Sequence, residues 1–357
     1  MDVDVDDVLD SLVIGAGQAG LSTSYHLRRL GVEHVALDAN AAPGGAWQHR
    51  WSSLSMDDVH GVADLPGSPA PDRGPEPANA VVPSWFADYE TVNGLPVERP
   101  VRVHRVTDQG GLLVVHADDR TWHARTLVNA TGTWTSPFVP HYPGMDTFGG
   151  EQLHASAYPG ADAFAGRRVL VVGGGASAVQ LLGEIALVTE TLWTTRRPPV
   201  WRSDQLDREA GRAAVARVEE RVRRGLPPAS VVSVTGLALR EQEHEAERRG
   251  AYRRRAMFER IEPDGVRWAD GTFEQVDVIV WATGFRPAVS HLAALHLRSP
   301  HGGIRLDGTT AVADPRVQLV GYGPSASTIG ANRAGRAAAV AVVRRLRAHD
   351  DVDLLAG

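Results

Sequence analysis

Two glycine-rich turns, Gly15-Ala16-Gly17-Gln18-Ala19-Gly20 and Gly173-Gly174-Gly175-Ala176-Ser177-Ala178, each follow an apolar run and precede apolar residues at helical spacing. A strand that enters such a turn and leaves as a helix is a dinucleotide cradle. Its first glycine makes the tight turn, its second lets a diphosphate approach the backbone, and its third lets helix and strand pack closely. In the second turn the third position is Ala178, which sets that helix slightly farther out. Two cradles in one polypeptide point to electron transfer between two bound nucleotides.

The residues after each turn separate the two nucleotides. Leu12, Val13 and Ile14 enter the first turn, Leu21, Tyr25, Leu27 and Leu30 mark a helix, and Gly31 stops it. The following strand, Val35 to Leu37, ends at Asp38, 23 residues after Gly15. A carboxylate there accepts both ribose hydroxyls of an adenosine and repels a 2'-phosphate, so this site is expected to take FAD or NAD. The second unit starts with Arg168 to Val172, and its strand Thr191 to Thr195 leads to Arg196 and Arg197; Arg196 again lies 23 residues after its first glycine, Gly173. Guanidinium groups in that place suit the 2'-phosphate of NADPH.

Composition removes several other classes. The 357 residues carry a formal net charge of -6 and no basic block interleaved with aromatics, so nucleic acid is not an expected partner. The chain has no cysteine, which excludes a disulfide scaffold, a thiolate metal site, a redox CxxC pair and a catalytic thiol. No metal site is expected. The acidic first ten residues lead straight into a strand and no run of 18 apolar residues occurs, so a cytoplasmic protein without a membrane span is expected.

Between the cradles, residues 57–83 are rich in Pro, Gly, Asp and Ala and read as a long loop, either a pocket wall or a disordered surface segment. Trp85, Phe86 and Tyr89 suggest one face of a short helix. Val101 to Val106, Leu112 to His116 and Thr121 to Val128 read as a meander ending in Val128-Asn129-Ala130-Thr131-Gly132. Residues 201–255 are rich in Arg and Glu and read as exposed helices. Glu274 to Ala282 reads as one buried strand closing on Ala282-Thr283-Gly284, and Ala334 to Leu346 as a final helix after Gly321-Tyr322-Gly323. The expected fold is α/β, with two Rossmann-like dinucleotide-binding domains, the NADPH domain (161–279) inserted in the FAD domain (1–160 plus 280–357).

Phe148-Gly149-Gly150-Glu151-Gln152-Leu153-His154-Ala155-Ser156-Ala157-Tyr158 resembles the FxGxxxHxxxY fingerprint of the class B flavin-containing monooxygenases, a group with YUCCA-like and Baeyer-Villiger members. Gly44-Gly45-Ala46-Trp47 is similar to the family's GGxW flavin loop. Ala130-Thr131-Gly132-Thr133-Trp134 with Pro137 to Gly144 resembles its ATGxW and PxxPG stretch, and Ala282-Thr283-Gly284-Phe285 its second ATG motif.

The resemblance implies that NADPH reduces FAD and that the reduced flavin captures O2 as a C4a-(hydro)peroxide, which passes one oxygen to a small organic substrate. Tyr158, where Baeyer-Villiger enzymes tend to carry Trp, favours transfer to N or S over ketone oxidation. Gly15, Gly17, Gly20, Asp38, Gly45, Trp47, Thr131 and Gly132 are then expected at FAD, with Thr283, Gly284 and Ser325. Gly173, Gly175, Ser177, Arg196 and Arg197 are expected at NADPH. Ser325 enters because Tyr322-Gly323 replaces the acid of the usual flavoprotein Gly-Asp motif. His154 and Asn332 are the candidate catalytic residues: His154 positions NADP, serves in acid-base chemistry or is a hydrogen-bonded hinge, the hinge favoured over acid-base chemistry, and Asn332 is a candidate to face the flavin ring. Baeyer-Villiger oxidation, NADPH-dependent flavin reductase or oxidase activity, and a non-catalytic redox sensor are the alternatives; monomer and homodimer both stay open.

Overall fold

The run Val8–Ile14 (β1) is apolar throughout its second half because both of its faces are covered: Leu12 and Val13 are fully buried. The structure, a computed structural model, describes residues 8–59, 62–118, 120–201, 208–228, 236–237, 239–240, 243–326 and 328–356. The chain divides into two compact units. The first comprises Met1–Thr135, Val215–Val231 and Pro287–Gly357, and the second Ser136–Ala214 and Val232–Arg286.

In the first unit β1 runs parallel to His34–Leu37 (β2) on one side and Arg120–Asn129 (β6) on the other, with Leu12 opposite Val35 and Leu127. The helix Gln18–Arg29 (α1) connects β1 to β2 and ends before Gly31, whose φ of +72° is the left-handed turn a glycine takes without strain. Val97–Glu98 (β3) extends the sheet beyond β2, and Val317–Leu319 runs parallel to β6. The expected meander is present: Val103–Gln109 (β4) and Leu112–Ala117 (β5) pair antiparallel and β5 pairs with β6.

The C-terminal helix runs over Thr328–Ala356, longer at both ends than the segment read from sequence. Its buried Ala331, Ala334, Ala338 and Ala339 allow a close approach to α1; a Cβ on Gly335 would stand 2.6 Å from Ser22 Oγ.

The loop expected over 57–83 stops earlier, because the helix Ala78–Asn93 (α2) begins inside it and continues through Pro83. Proline removes only its own N–H, and here its ring fills the space beside Gly44, where a Cβ would be 2.8 Å away. The preceding segment, of which residues 60–61 lie outside the described part, is stitched down. Asp57 N–H donates to Gly74 O at 2.9 Å, Tyr89 OH to Pro66 O at 2.9 Å and Trp85 Nε1–H to Ser68 Oγ at 2.9 Å.

The second unit carries a five-stranded parallel sheet. Val169–Val172 (β8) lies between Thr191–Thr194 (β9) and Val278–Trp281 (β14), Arg254–Arg255 (β10) flanks β9, and Glu151–His154 (β7) flanks β14. The helix Ala176–Ile185 (α3) follows its glycine turn. Arg260–Glu262 (β11), Gly265–Arg267 (β12) and Phe273–Gln275 (β13) form a small antiparallel sheet over an aromatic core that includes Phe258, Trp268 and Trp281.

Three expectations are corrected here. The boundary placed at 160/161 falls at 135/136, and the return placed at 280 falls at 286/287, because β7 and β14 pair with each other and with β8. Residues 215–231 rejoin the first unit, where Val218 and Val222 on Arg208–Arg223 (α4) are buried. The strand expected over 274–282 is broken at Asp277, whose Oδ2 accepts from Arg168 N–H at 2.7 Å. Of the stretch 201–255, residues 202–207, 229–235, 238 and 241–242 lie outside the described part; the rest contains α4 and the helix His244–Arg248 as expected.

The glycines of the first turn have different neighbours. A Cβ on Gly20 would lie 1.9 Å from Gly15 O, whereas one on Gly17 would meet nothing nearer than Gly45 Cα at 3.9 Å. Gly20→Ala is therefore expected to destabilise flavin-free protein by about 1–3 kcal/mol through backbone displacement, and Gly17→Ala by less than about 1 kcal/mol. Urea unfolding followed by circular dichroism checks this, and equal effects of the two variants would contradict the packing described.

Candidate active site

Each glycine turn leans on the strand next to it. A Cβ on Gly15 would stand 2.7 Å from Ala130 O, and one on Gly173 would stand 2.1 Å from Ala282 O. Ala130 and Ala282 open the two Ala-Thr-Gly motifs, so each motif is the wall against which one turn is folded. The turns also have φ of +100° and +145°, which side chains rarely adopt.

Beyond the turns, α1 and α3 begin at Gly17 and Gly175 without side-chain caps. Their leading N–H groups are therefore available to an anion, with the positive helix end behind them. A Cβ on Gly17 would meet only Gly45 Cα at 3.9 Å and one on Gly175 nothing within 4 Å, so neither turn is crowded where a diphosphate would approach. The Ser177 hydroxyl sits half-buried in the first turn of α3.

Asp38 is 4% exposed and already engaged. Its Oδ2 accepts from Ala16 N–H at 2.7 Å, and its Oδ1 accepts from Asn40 N–H at 2.9 Å and Asn40 Nδ2–H at 2.8 Å. Three donors already use much of its accepting capacity. The carboxylate thus ties the glycine turn to the end of β2. Asn40, which sequence reading missed, also accepts from His49 Nε2 at 2.7 Å.

At the matching place in the second unit, Arg196 and Arg197 are exposed, and neither pairs with a carboxylate among the described residues. The bend that carries them is fixed from below. Thr195 Oγ1 donates to Arg197 O at 2.6 Å, while Arg254 donates from Nε to Thr195 Oγ1 at 2.7 Å and from Nη2 to Thr195 O at 3.0 Å. Arg254 was not singled out in the sequence because its adjacency to Thr195 arises from the β9–β10 pairing.

Several expected site residues serve the scaffold. His154 donates from Nε2 to Gly284 O at 3.0 Å while its Nδ1 accepts from Ser156 N–H at 3.1 Å. Both ring nitrogens are thus occupied, and burial lowers its pKa; the hinge reading fits this geometry and acid-base catalysis does not. Thr283 Oγ1 donates to Phe138 O, so Thr283 and Gly284 knit residues 136–138 to the end of β14 within the second unit, whereas they were expected to belong to the first. Ser325 Oγ accepts from Tyr322 N–H at 3.2 Å and closes its own turn, while the buried Tyr322 hydroxyl accepts from Ile304 N–H at 2.9 Å. The residue that replaces an acid is a core residue. Asn332 donates through Nδ2 to Asp64 O, next to Ala63, whose O accepts from Gln18 Nε2–H at 2.6 Å. These two amides clamp the segment after residue 61.

Thr131 Oγ1 donates to Ala288 O at 2.6 Å and accepts from Asn129 Nδ2 at 3.1 Å; Asn129 Oδ1 in turn accepts from the buried His291 Nε2 at 2.7 Å. Gly132 O accepts from Ala288 N–H at 2.9 Å. Gly45 lies against Gly17, and Trp47 stands beside Arg50 with 5.8 Å from guanidinium to ring.

Two glycine cradles at the carboxyl ends of parallel strands, with opposite charge after the second strand, define a two-dinucleotide oxidoreductase. The chain matches the pyridine nucleotide-disulphide oxidoreductase family over residues 12–321. It is 41% identical to a flavin-containing monooxygenase of known structure from Stenotrophomonas maltophilia, covering 95% of this chain and 99% of that one with a TM-score of 0.83. It is 25% identical to the uncharacterized oxidoreductase CzcO of Bacillus subtilis over 78% of this chain and 81% of that protein. It is also 33% identical to the probable indole-3-pyruvate monooxygenase YUCCA4 of Arabidopsis thaliana over 48% of this chain and 42% of that protein. The chain belongs to the class B flavin-containing monooxygenase family, and it is an FAD-dependent, NADPH-using oxidoreductase. Among the described residues no helix is long and apolar enough to cross a membrane.

His291 gives this network a pH signature. Burial pushes its pKa down to about 4 from 6.5, so the folded protein holds the ring neutral where the unfolded chain protonates it. Its contribution is fully present above pH 6.5 and is lost as pH falls towards 4, by about 3 kcal/mol in total. His291→Gln should therefore flatten the unfolding free energy between pH 6.5 and 4 relative to the parent, as read from urea titrations at each pH; parallel curves would show that His291 does not titrate in this way.

Proposed function

We propose that the first unit holds FAD, that the second holds NADPH, and that the monooxygenase chemistry of the family is directed in this protein to nitrogen or sulfur of a small organic substrate. The observation that carries the cofactor assignment is the contrast at matched positions: a buried carboxylate at Asp38 and a pair of exposed arginines, Arg196 and Arg197, on a hydrogen-bonded bend. A 2'-phosphate meets repulsion at the first and charge-assisted hydrogen bonds at the second. The preference for N or S rests on the Tyr158 ending of the fingerprint. Tyr158 is buried, stacks on Phe164 with ring centres 5.8 Å apart and donates to Glu184 Oε2 at 3.0 Å.

When bound, NADPH supplies a hydride to FAD, and reduced FAD activates O2. The chain's own residues bind and orient. The uncapped N–H groups of α1 receive the FAD diphosphate, and Asp38 takes the ribose. Those of α3, with the Ser177 hydroxyl, receive the NADPH diphosphate, and Arg254 holds the Thr195 bend so that Arg196 and Arg197 meet the 2'-phosphate. His154 and Thr283 fix the second Ala-Thr-Gly turn.

The Arg196→Ala, Arg197→Ala double variant is expected to lose about ten- to a hundredfold of its NADPH affinity, at about 1.5–3 kcal/mol for hydrogen bonds to a charged group. NADH affinity should hardly move. Initial rates against both nucleotides give the ratio, and an unchanged ratio would place the phosphate elsewhere.

Labelled O2 tests the reaction. With amines, sulfides and ketones offered together with NADPH, one labelled oxygen is expected in an N- or S-oxide. An ester formed faster from a ketone would make the enzyme a Baeyer-Villiger oxidant, and unlabelled products with release of H2O2 alone would make it a reductase or oxidase.

A further inference from the structure

Arg50 ends differently from two other half-buried arginines of the first unit. Arg99 is paired with Glu90 at 2.6 Å, and Arg316 with Asp314 at 2.6 Å and Asp108 at 2.5 Å. Arg50 meets no carboxylate among the described residues. Its guanidinium lies 4.6 Å from the ring centre of Trp134 and 5.8 Å from that of Trp47, and its Nε–H is buried without an acceptor. Its backbone is fixed, because Arg50 O accepts from Asn79 Nδ2–H at 2.9 Å and the next residue, Trp51, is buried.

Burial lowers the pKa of this group, as expected of a cation without a counter-charge, yet an arginine stays protonated. Indole faces recover part of the lost hydration energy. They leave the buried Nε–H without an acceptor among the described residues, and that donor with a neighbouring Nη matches two oxygens of one anion. The position is also informative: Arg50 follows the Gly44-Gly45 loop, which abuts Gly17 in the first cradle, and Trp134 follows Gly132. No other arginine or lysine lies within the glycine turn or the Gly44-Gly45-Ala46-Trp47 loop.

We propose that Arg50, held between Trp47 and Trp134, is an oxyanion receptor of the first unit that binds either the diphosphate of the dinucleotide or the carboxylate of an organic ligand. The diphosphate source rests on the reading of this unit as the FAD site; the carboxylate source does not.

The test compares Arg50→Gln and Arg50→Lys holoenzymes with the parent. FAD release into salt solutions is followed by flavin fluorescence, and benzoate binding by calorimetry. If the diphosphate is the anion, FAD affinity falls about ten- to a hundredfold in the Gln variant, less in the Lys variant, and depends less on salt than in the parent. If a carboxylate is the anion, FAD retention is unchanged and benzoate affinity falls by the same factor. Unchanged FAD retention and unchanged benzoate binding overturn the proposal. A parent protein that carries no flavin overturns the FAD reading alone, because the benzoate titration needs none.

Should the Gln variant not fold, phenylglyoxal labelling of the parent, with the Arg50 peptide quantified by mass spectrometry, decides. Labelling that appears only on FAD release, or that benzoate suppresses, supports the receptor; labelling indifferent to both overturns it.

Discussion

The two cradles depend on a missing atom. Gly15 and Gly173 place their backbones so close to the carbonyls of Ala130 and Ala282 that no Cβ fits, and this contact lets a parallel strand, its turn and the neighbouring strand end at one level. Everything that reads a nucleotide is then set by strand register. Val13 opposite Ala36 and Val128 places Asp38 beyond one strand end and Thr131 beyond the other, and Val171 opposite Trp193 and Val280 does the same for Thr195 and Thr283. The same plan is used twice, with a carboxylate after the second strand in one copy and two arginines in the other.

That repetition explains why the cradles were legible in the sequence and the domain bounds were not. A glycine turn, its strand and its helix are local, and so is the offset from Gly15 to Asp38 or from Gly173 to Arg196. The edge strand Glu151–His154 carries no local mark of its sheet; its partner Val278–Trp281 lies far along the chain, and only their pairing moves residues 136–160 into the second unit. The same holds for residues 215–231, whose membership depends on where Val218 and Val222 are buried. Residues 57–77 look structureless because their order comes from Tyr89, Trp85, Gln18 and Asn332, none of which is a sequence neighbour.

Motif residues divide by what is left for a ligand once the scaffold has used them. His154, Thr283 and Ser325 spend their polar atoms on backbone groups, which a folded chain has to satisfy somewhere in any case. Asp38 spends much of its capacity, while Arg196 and Arg197 pair with no carboxylate among the described residues. Recurrence in a motif therefore marks two different jobs, and hydrogen-bond accounting separates them where a pattern match does not.

The same accounting runs in the opposite direction for the residues outside the motifs. Arg254 has no signature in the sequence, but its fork holds both the side chain and the carbonyl of Thr195, so the bend before Arg196 is rigid before any nucleotide arrives. Ordering that bend in the free protein lowers the entropy lost on binding, and preorganised donors are worth more than mobile ones of equal charge. On the proposed reading, cofactor preference in the second unit would then depend on the β9–β10 pairing as well as on two arginines, because strand pairing sets the bend that carries Arg196 and Arg197.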